Sequence, residues 1–135
     1  MHEDDKIQGI KPGFDVAFVN APADFVKQLD LLPEVNLRSL WKSKDLDFIL
    51  IFVKRHKILT TAFAQYSQKI KPNGMLWVLW PKKTSRVQTD LTENIVRDAG
   101  LAVGLVDVKV CAVDDVWSGL KFVYRLKDRA RQKSH

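Results

Sequence analysis

Three short polar segments each follow an apolar run of the chain, and their residue types suit the binding of an anion. Such segments stand where buried strands end, and ligands of open α/β sheets gather beyond the carboxyl ends of parallel strands. Cations and helix starts at that edge favour an anion. The sequence therefore predicts a ligand-binding rim for a small anionic ligand, made of Asn20, Lys54, Arg55, Lys82, Lys83, Ser85 and Trp117.

Within this rim, Asn20 and Ser85 are expected to act as hydrogen-bonding groups and Trp117 as a stacking surface. A plainer interpretation stays open. Lysines that follow a buried strand commonly just keep a loop solvated, and Asp114 and Asp115 are placed to pair with them at an exposed surface.

Other site chemistries lack the residues they need. Zinc requires three or four close ligands, but the histidines are His2, His56 and His135, and Cys111 is the single cysteine, so we expect no metal site. The segment around Ser118 lacks the GxSxG nucleophile elbow, and no Walker sequence is present. His56 is left as a weak candidate for an acid–base group.

Length and charge limit the class of protein. With 135 residues, the chain is expected to form one α/β domain over 1–126, followed by a basic tail over 127–135. Five Lys or Arg and one Asp between 125 and 135 account for +4 of the net charge of +6. We therefore expect no nucleic-acid partner except non-specifically through the tail. We expect a cytoplasmic protein with no membrane segment, and a homodimer is a candidate assembly.

The elements that must position the rim follow from hydrophobic patterning. Strands are predicted at "FDVAFV", weakly at "VNLRSL", at "LDFILIFV" and at "MLWVLW". The third and fourth are apolar throughout or nearly so, as in strands buried on both faces. Two alternating runs, "VDVKVCAV" and "LKFVYRL", predict an antiparallel hairpin in which Val106, Val108, Val110 and Ala112 share one face.

Three helices are predicted between these strands. The first is "ADFVKQLD", and the second is "HKILTTAFAQYSQKI", which "KPNG" stops and turns. The third is "TDLTENIVRDAG", with Thr89 or Asp90 as its N-cap and Gly100 after its end. Alternation of strands and helices predicts a three-layer, Rossmann-like α/β sandwich with a mostly parallel sheet of about six strands.

The order of these segments resembles the class I S-adenosylmethionine-dependent methyltransferases, whose sheet also ends in a hairpin with an antiparallel last strand. "KPGFDVAFVNAP" looks like their opening strand and cofactor loop. The resemblance covers nearly the whole chain but lacks one early strand–helix pair. The strings "GIKPG", "WPKK" and "TDLTENIVR" are also similar to a small family of uncharacterised bacterial proteins of about this length.

Two departures from the methyltransferase pattern shape the functional expectation. The loop after the first strand, "NAPAD", has no glycine to let backbone and cofactor approach closely, and "LRSLWK" offers Arg38 but no carboxylate for a ribose. We therefore expect a non-catalytic or degenerate methyltransferase-like domain, without a cofactor, that binds a small anion or a protein partner. The alternative is an enzyme acting on an anionic metabolite, such as an S-adenosylmethionine-dependent transferase, with His56 as its acid–base group.

Overall fold

A computed structural model describes residues 10–23, 25, 34–39 and 43–128 of the chain. Most of the helix predicted at "ADFVKQLD" and most of the basic tail lie outside these residues. The strands are β1 (Asp15–Val19), β2 (Asn36–Leu37), β3 (Leu46–Phe52), β4 (Ile70–Pro81), β5 (Leu105–Ala112) and β6 (Trp117–Tyr124). The helices are α1 (His56–Tyr66) and α2 (Glu93–Ala102), with 3-10 turns at Ser67–Lys69 and Lys83–Ser85.

The strands form one six-stranded sheet in the order β2-β1-β3-β4-β6-β5. The first four strands in this order are parallel to one another, whereas β6 runs antiparallel to both β4 and β5. This confirms the predicted α/β class, the mostly parallel sheet and the C-terminal antiparallel hairpin. None of the described helices is long and apolar enough to cross a membrane.

The two apolar strands are buried on both faces because alternate side chains enter two separate cores. Along β3, Ile49 and Ile51 join Leu59, Phe63 and Val96 of the helices in the first core. The intervening side chains of β3 and β4 form the second core on the opposite face, namely Phe48, Leu50, Phe52, Trp77 and Leu79. The sequence of β3 is apolar almost throughout because the side chains on both of its faces are buried.

The segment "KPNG" does not separate a helix from a strand as predicted. The helix ends earlier, at Tyr66, and β4 begins at Ile70 and runs through this segment. Residues 71–74 bulge out of the β3–β4 ladder between the pairs Leu46–Ile70 and Phe48–Met75. A Cβ atom on Gly74 would lie 2.9 Å from the carbonyl oxygen of Leu46, so the bulge needs a glycine there.

The caps predicted for the last helix are also wrong. Thr92 is the N-cap of α2, and its hydroxyl accepts a hydrogen bond of 3.3 Å from the amide of Ile95. Gly100 lies inside the helix instead of after it, where it packs against the ring of Phe122. Gly104, with φ +91°, follows the helix in the left-handed conformation that terminates it.

A bulge in β5 changes the predicted alternation of that strand. The ladder to β6 shifts between the pairs Asp107–Phe122 and Lys109–Lys121, so Val108 is an extra residue. As a result Leu105 belongs to the first core and Cys111 to the second, although positions an even number apart share one face of a regular strand. Val108 and Val110, predicted to share a face with Val106, are about half exposed, at 54% and 52%.

Candidate functional site

The residues predicted to form the rim are found around two clefts at the carboxyl edge of the sheet. Trp117 and Ser118 are neighbours on β6 and point to opposite faces, and each lines a different cleft. The predicted residues divide accordingly. Asn20, Lys54, Arg55 and Trp117 line one cleft, whereas Lys82 and Lys83 line the other.

The first cleft, which we call the switch-point cleft, has a volume of about 420 Å³. It lies beyond the ends of β1 and β3. The strand order reverses here, because the chain places β2 on one side of β1 in the sheet and β3 on the other side. Its walls are largely apolar, with one amide and two cations. The lining residues are Asn20, Pro22, Phe52, Val53, Lys54, Arg55, Ile58 and Trp117.

Asn20 gives the loop after β1 the conformation that the missing glycine would supply. Its φ is +59°, in the left-handed region, which asparagine tolerates better than other residues with a Cβ atom. The chain can therefore turn sharply after β1 without a glycine.

The position just after β2, where no carboxylate was found in the sequence, holds Arg38. Its Nε lies 2.9 Å from Oδ1 of Asp15. That hydrogen bond lowers the pKa of Asp15.

Phe52 and Trp117 form an aromatic wall of the switch-point cleft. Trp117 was predicted as a stacking surface for a ligand, and its ring also packs on a neighbour within the protein. The ring centroids of Phe52 and Trp117 lie 5.0 Å apart at an interplanar angle of 86°, an edge-to-face contact. Trp117 is only 9% exposed. Its ring is therefore a fixed part of the wall.

The second cleft, the Lys82 cleft, has a volume of about 590 Å³ and lies on the face covered by α2. Trp80 and Leu91 of the first core form its floor. The remaining lining residues are Pro81 at the end of β4 and a set of polar residues, namely Lys82, Lys83, Thr84, Thr92, Glu93, Asn94 and Ser118.

Ser85 lines neither cleft, because its hydroxyl is used inside the turn after β4. It donates to the carbonyl of Lys82 at 2.6 Å and accepts from the amide of Val87 at 3.2 Å. The amide of Lys82 donates to the carbonyl of Val116 at 2.7 Å. These bonds fix the backbone that presents Lys82 and Lys83.

The start of α1 is already occupied by a carboxylate of the chain. Oδ1 of Asp90 accepts a hydrogen bond of 2.7 Å from the amide of His56, the first residue of α1. The hydroxyl of Thr89 donates to the carbonyl of Lys54 at 2.6 Å. Sequence reasoning assigned Thr89 and Asp90 to the wrong helix, and no local signal could have shown a contact over 34 residues. His56 is exposed and lines neither cleft.

The acidic residues of the hairpin do not neutralise the cations. Oδ1 of Asp114 accepts from the amides of Val116 and Trp117, both at 2.8 Å, and so closes the hairpin turn. Over the described ranges, the ion pairs are Arg38–Asp15, Lys71–Asp47, Arg97–Glu93 and Arg97–Asp107. The four cations of the two clefts are in none of them. Among the described residues, these cations are therefore not paired with a carboxylate.

Metal ligation finds no support in the part of the chain that the structure describes. Those residues contain no group of three or more His, Cys, Asp or Glu side chains that could hold an ion. Cys111 is buried against the second core, in keeping with a small apolar side chain.

The fold is shared with solved methyltransferases. A putative type 11 methyltransferase from Sulfolobus solfataricus superposes with a TM-score of 0.62 at 14% identity, over 85% of each chain. An S-adenosylmethionine-dependent methyltransferase from Aquifex aeolicus gives a TM-score of 0.58 at 17% identity, over 84% of each chain. Magnesium protoporphyrin IX methyltransferase from Synechocystis, with S-adenosylhomocysteine bound, gives 0.57 at 9% identity, over 84% of this chain and 75% of its own.

These structures establish a methyltransferase-like Rossmann fold for this chain. No protein-family model matches it, and no curated protein does. The resemblance to a small bacterial family therefore stays a prediction.

Two expectations from the sequence are corrected by these neighbours. A non-catalytic domain without a cofactor was the expectation, and it is wrong, because the proteins solved with this fold include an S-adenosylmethionine-dependent methyltransferase and a methyltransferase with S-adenosylhomocysteine bound. The Synechocystis enzyme is also known with S-adenosylmethionine itself bound. At these identities the likeness shows the fold alone. The positive φ of Asn20 gives the loop the sharp turn of a glycine, but a side chain is still present there.

Proposed function

We propose that this chain binds S-adenosylmethionine in the switch-point cleft and acts as a methyltransferase. The observation that carries the proposal is the position of this cleft. It opens between the ends of β1 and β3, where the strand order reverses, which is where open α/β sheets bind their ligands. Its volume of about 420 Å³ lies in the range of small-molecule sites.

The residues of the cleft fit the parts of this cofactor. Phe52, Ile58 and Trp117 offer apolar and aromatic surface for the adenine. The cations Lys54 and Arg55 suit the carboxylate of the methionine portion, and Asn20 supplies an amide for polar groups. The described residues of the cleft include no carboxylate, so the ribose would rely on Asn20 and on backbone groups.

When bound, the cofactor would supply an electrophilic methyl group on a positively charged sulfur. Lys54 and Arg55 repel that charge, so we expect them to hold the carboxylate end and to leave the sulfonium towards the apolar wall. The largely apolar lining would exclude water around the methyl group. The role of His56 as an acid–base group stays a prediction, since its side chain is exposed at the start of α1.

Calorimetric titration of the full chain with S-adenosylmethionine and S-adenosylhomocysteine tests the proposal. We expect saturable binding that Asn20→Gly retains, because glycine adopts a positive φ without strain. Asn20→Val should weaken it by about tenfold or more, since a β-branched residue is strained there. Reversal of both cations, Lys54→Glu with Arg55→Glu, should also weaken it.

Two results would count against the proposal in different ways. If the folded wild-type chain binds neither compound, the proposal that it uses S-adenosylmethionine is refuted. Binding that is unchanged in Asn20→Val and in the double charge reversal would place the cofactor elsewhere. His56→Gln serves as the matched variant outside the cleft and should bind as the wild type does.

A further inference from the structure

The Lys82 cleft has a rigid apolar floor that is separate from the switch-point cleft. Trp80 and Leu91 are 5% and 2% exposed and belong to the first core, so neither can withdraw from the cleft without disturbing that core. Ser118 lies opposite Trp80 in the β4–β6 ladder, on the same face of the sheet. Trp80 and Ser118 are therefore carried by the sheet, whereas Leu91 is carried by the segment that precedes α2.

The net charge of the cleft is positive because its lining contains two lysines and one carboxylate, Glu93, which is engaged by an arginine. Oε2 of Glu93 lies 2.6 Å from Nη2 of Arg97, in an ion pair between residues four apart on α2. Lys82 and Lys83 have no such partner among the residues that the structure describes. Their backbone is held by the 3-10 turn, by Ser85 and by the bond from Lys82 to Val116.

The hydrogen-bonding groups that face the cleft are mostly donors. Oδ1 of Asn94 already accepts a hydrogen bond of 2.9 Å from Nη1 of Arg97, so the amide nitrogen of Asn94 is what remains for a ligand. The ammonium groups of Lys82 and Lys83 donate only. Thr84 and Ser118 add hydroxyls, which can donate as well. A ligand rich in acceptors fits this set.

We propose that the Lys82 cleft is a second binding site, which takes a small anion carrying a flat apolar group, such as an aromatic phosphate monoester. The anion would lie against Lys82, Lys83 and Asn94, and the apolar group against Trp80 and Leu91. The volume of about 590 Å³ accommodates a ligand of this size. This site is independent of cofactor binding in the switch-point cleft, so either proposal can fail without the other.

Titration of the 15N-labelled full chain with phenyl phosphate and with inorganic phosphate, at constant ionic strength, tests the site. We expect saturable shifts of the backbone amides of residues 82–84 and 91–94. Phenyl phosphate should bind several-fold more tightly than inorganic phosphate, because burying a phenyl ring against the floor adds apolar contact. Equal affinity for the two probes, or shifts that do not saturate, would overturn the proposal.

Matched variants locate the site. Lys82→Glu with Lys83→Glu should weaken phenyl phosphate binding by about tenfold or more, whereas Lys54→Glu with Arg55→Glu, the same charge change in the other cleft, should leave it within about twofold. Asn94→Asp keeps an acceptor for Arg97 but removes the donor, and should also weaken binding. Equal loss in both double variants would mean that only the overall charge matters, and the site would be refuted. Unfolding midpoints of all variants establish that each is folded.

Discussion

The carboxylate of Asp90 caps helix α1 from a distant loop by accepting a 2.7 Å hydrogen bond from the backbone amide of His56. The N-cap residue of this helix, Arg55, makes no side-chain cap bond, and the first turn contains no acidic residue. Asp90 thus provides both the acceptor and the negative charge that the helix start lacks. In the same loop, the hydroxyl of Thr89 donates to the carbonyl of Lys54, so two bonds join this loop to the connection between β3 and α1.

Removal of this cap should destabilise the fold. We expect Asp90→Ala to lower the free energy of unfolding by about 1 kcal/mol, and Asp90→Asn by less, since the amide oxygen still accepts. Urea denaturation measures both. Asp98→Ala, which removes an exposed carboxylate from α2, is the control and should change stability by less than about 0.5 kcal/mol. An equal loss in the control would show that the cap contributes nothing.

The contact between Gly100 and Phe122 predicts a steric cost for any side chain at position 100. A Cβ atom there would lie 2.2 Å from Cε1 of Phe122. Phe122 is fully buried, and its ring packs edge-to-face on Phe63 at 5.0 Å, so it has little room to move. Gly100→Ala should therefore cost about 1–3 kcal/mol by overpacking, measured by urea denaturation.

Two variants separate overpacking from other effects of losing a glycine. Gly104→Ala tests backbone strain alone, because φ is +91° there and no atom lies within 4 Å of the added Cβ. Combining Gly100→Ala with Phe122→Leu should cost less than the sum of the two single changes, since the smaller side chain leaves space. Strict additivity of the two would contradict the proposed clash.

Local patterning predicted the elements better than their boundaries. The apolar runs of β3 and β4 and the hairpin of β5 and β6 were identifiable because burial on one or both faces leaves a periodic trace in the sequence. The bulges at 71–74 and at Val108 were not, since the ladder shift depends on the partner strand. Gly100 looked like a helix end because its contact with Phe122 lies outside the local sequence.

The candidate site followed the same rule. Six of the seven predicted residues line a cleft at the carboxyl edge of the sheet. They could be found from the sequence because each lies close to the end of an apolar run. The sequence could not show that the edge divides into two clefts, because this depends on the faces to which Trp117 and Ser118 point. Nor could it show that Asn20 adopts a positive φ. Formation of a homodimer stays a prediction, to be measured by sedimentation equilibrium.

The phenol of Tyr124 makes stability depend on alkaline pH. It donates to the carbonyl of Ser67, and burial raises the pKa of Tyr124 above its ordinary value of 10.0. The folded state therefore holds the phenolic proton more tightly than the unfolded state. This contribution is complete below about pH 10 and is lost as the pH rises through the raised value.

Tyr124→Phe tests this dependence. The variant should lose about 1 kcal/mol at neutral pH with the hydrogen bond, and its stability should fall less steeply than that of the wild type above pH 10. Urea denaturation at pH values between 8 and 11 measures both effects, over a range that brackets the ordinary pKa of 10.0. Tyr66→Phe removes a phenol at the end of α1 and is the matched control. An unchanged pH slope in Tyr124→Phe would contradict the assignment.

The last prediction concerns two lysines that face each other across the terminal hairpin. Lys109 and Lys121 are paired in the β5–β6 register, and the pKa of Lys121 is lowered first by burial and second by the charge of Lys109. Like charges at opposed positions of a strand pair repel each other, so Lys109→Glu should replace this repulsion of Lys121 by attraction. It should also raise the pKa of Lys121, measured by NMR titration of its side chain. Lys109→Met removes the repulsion without adding attraction and should give an intermediate pKa. If the pKa of Lys121 is the same in all three proteins, burial alone determines it and the cross-strand repulsion is refuted.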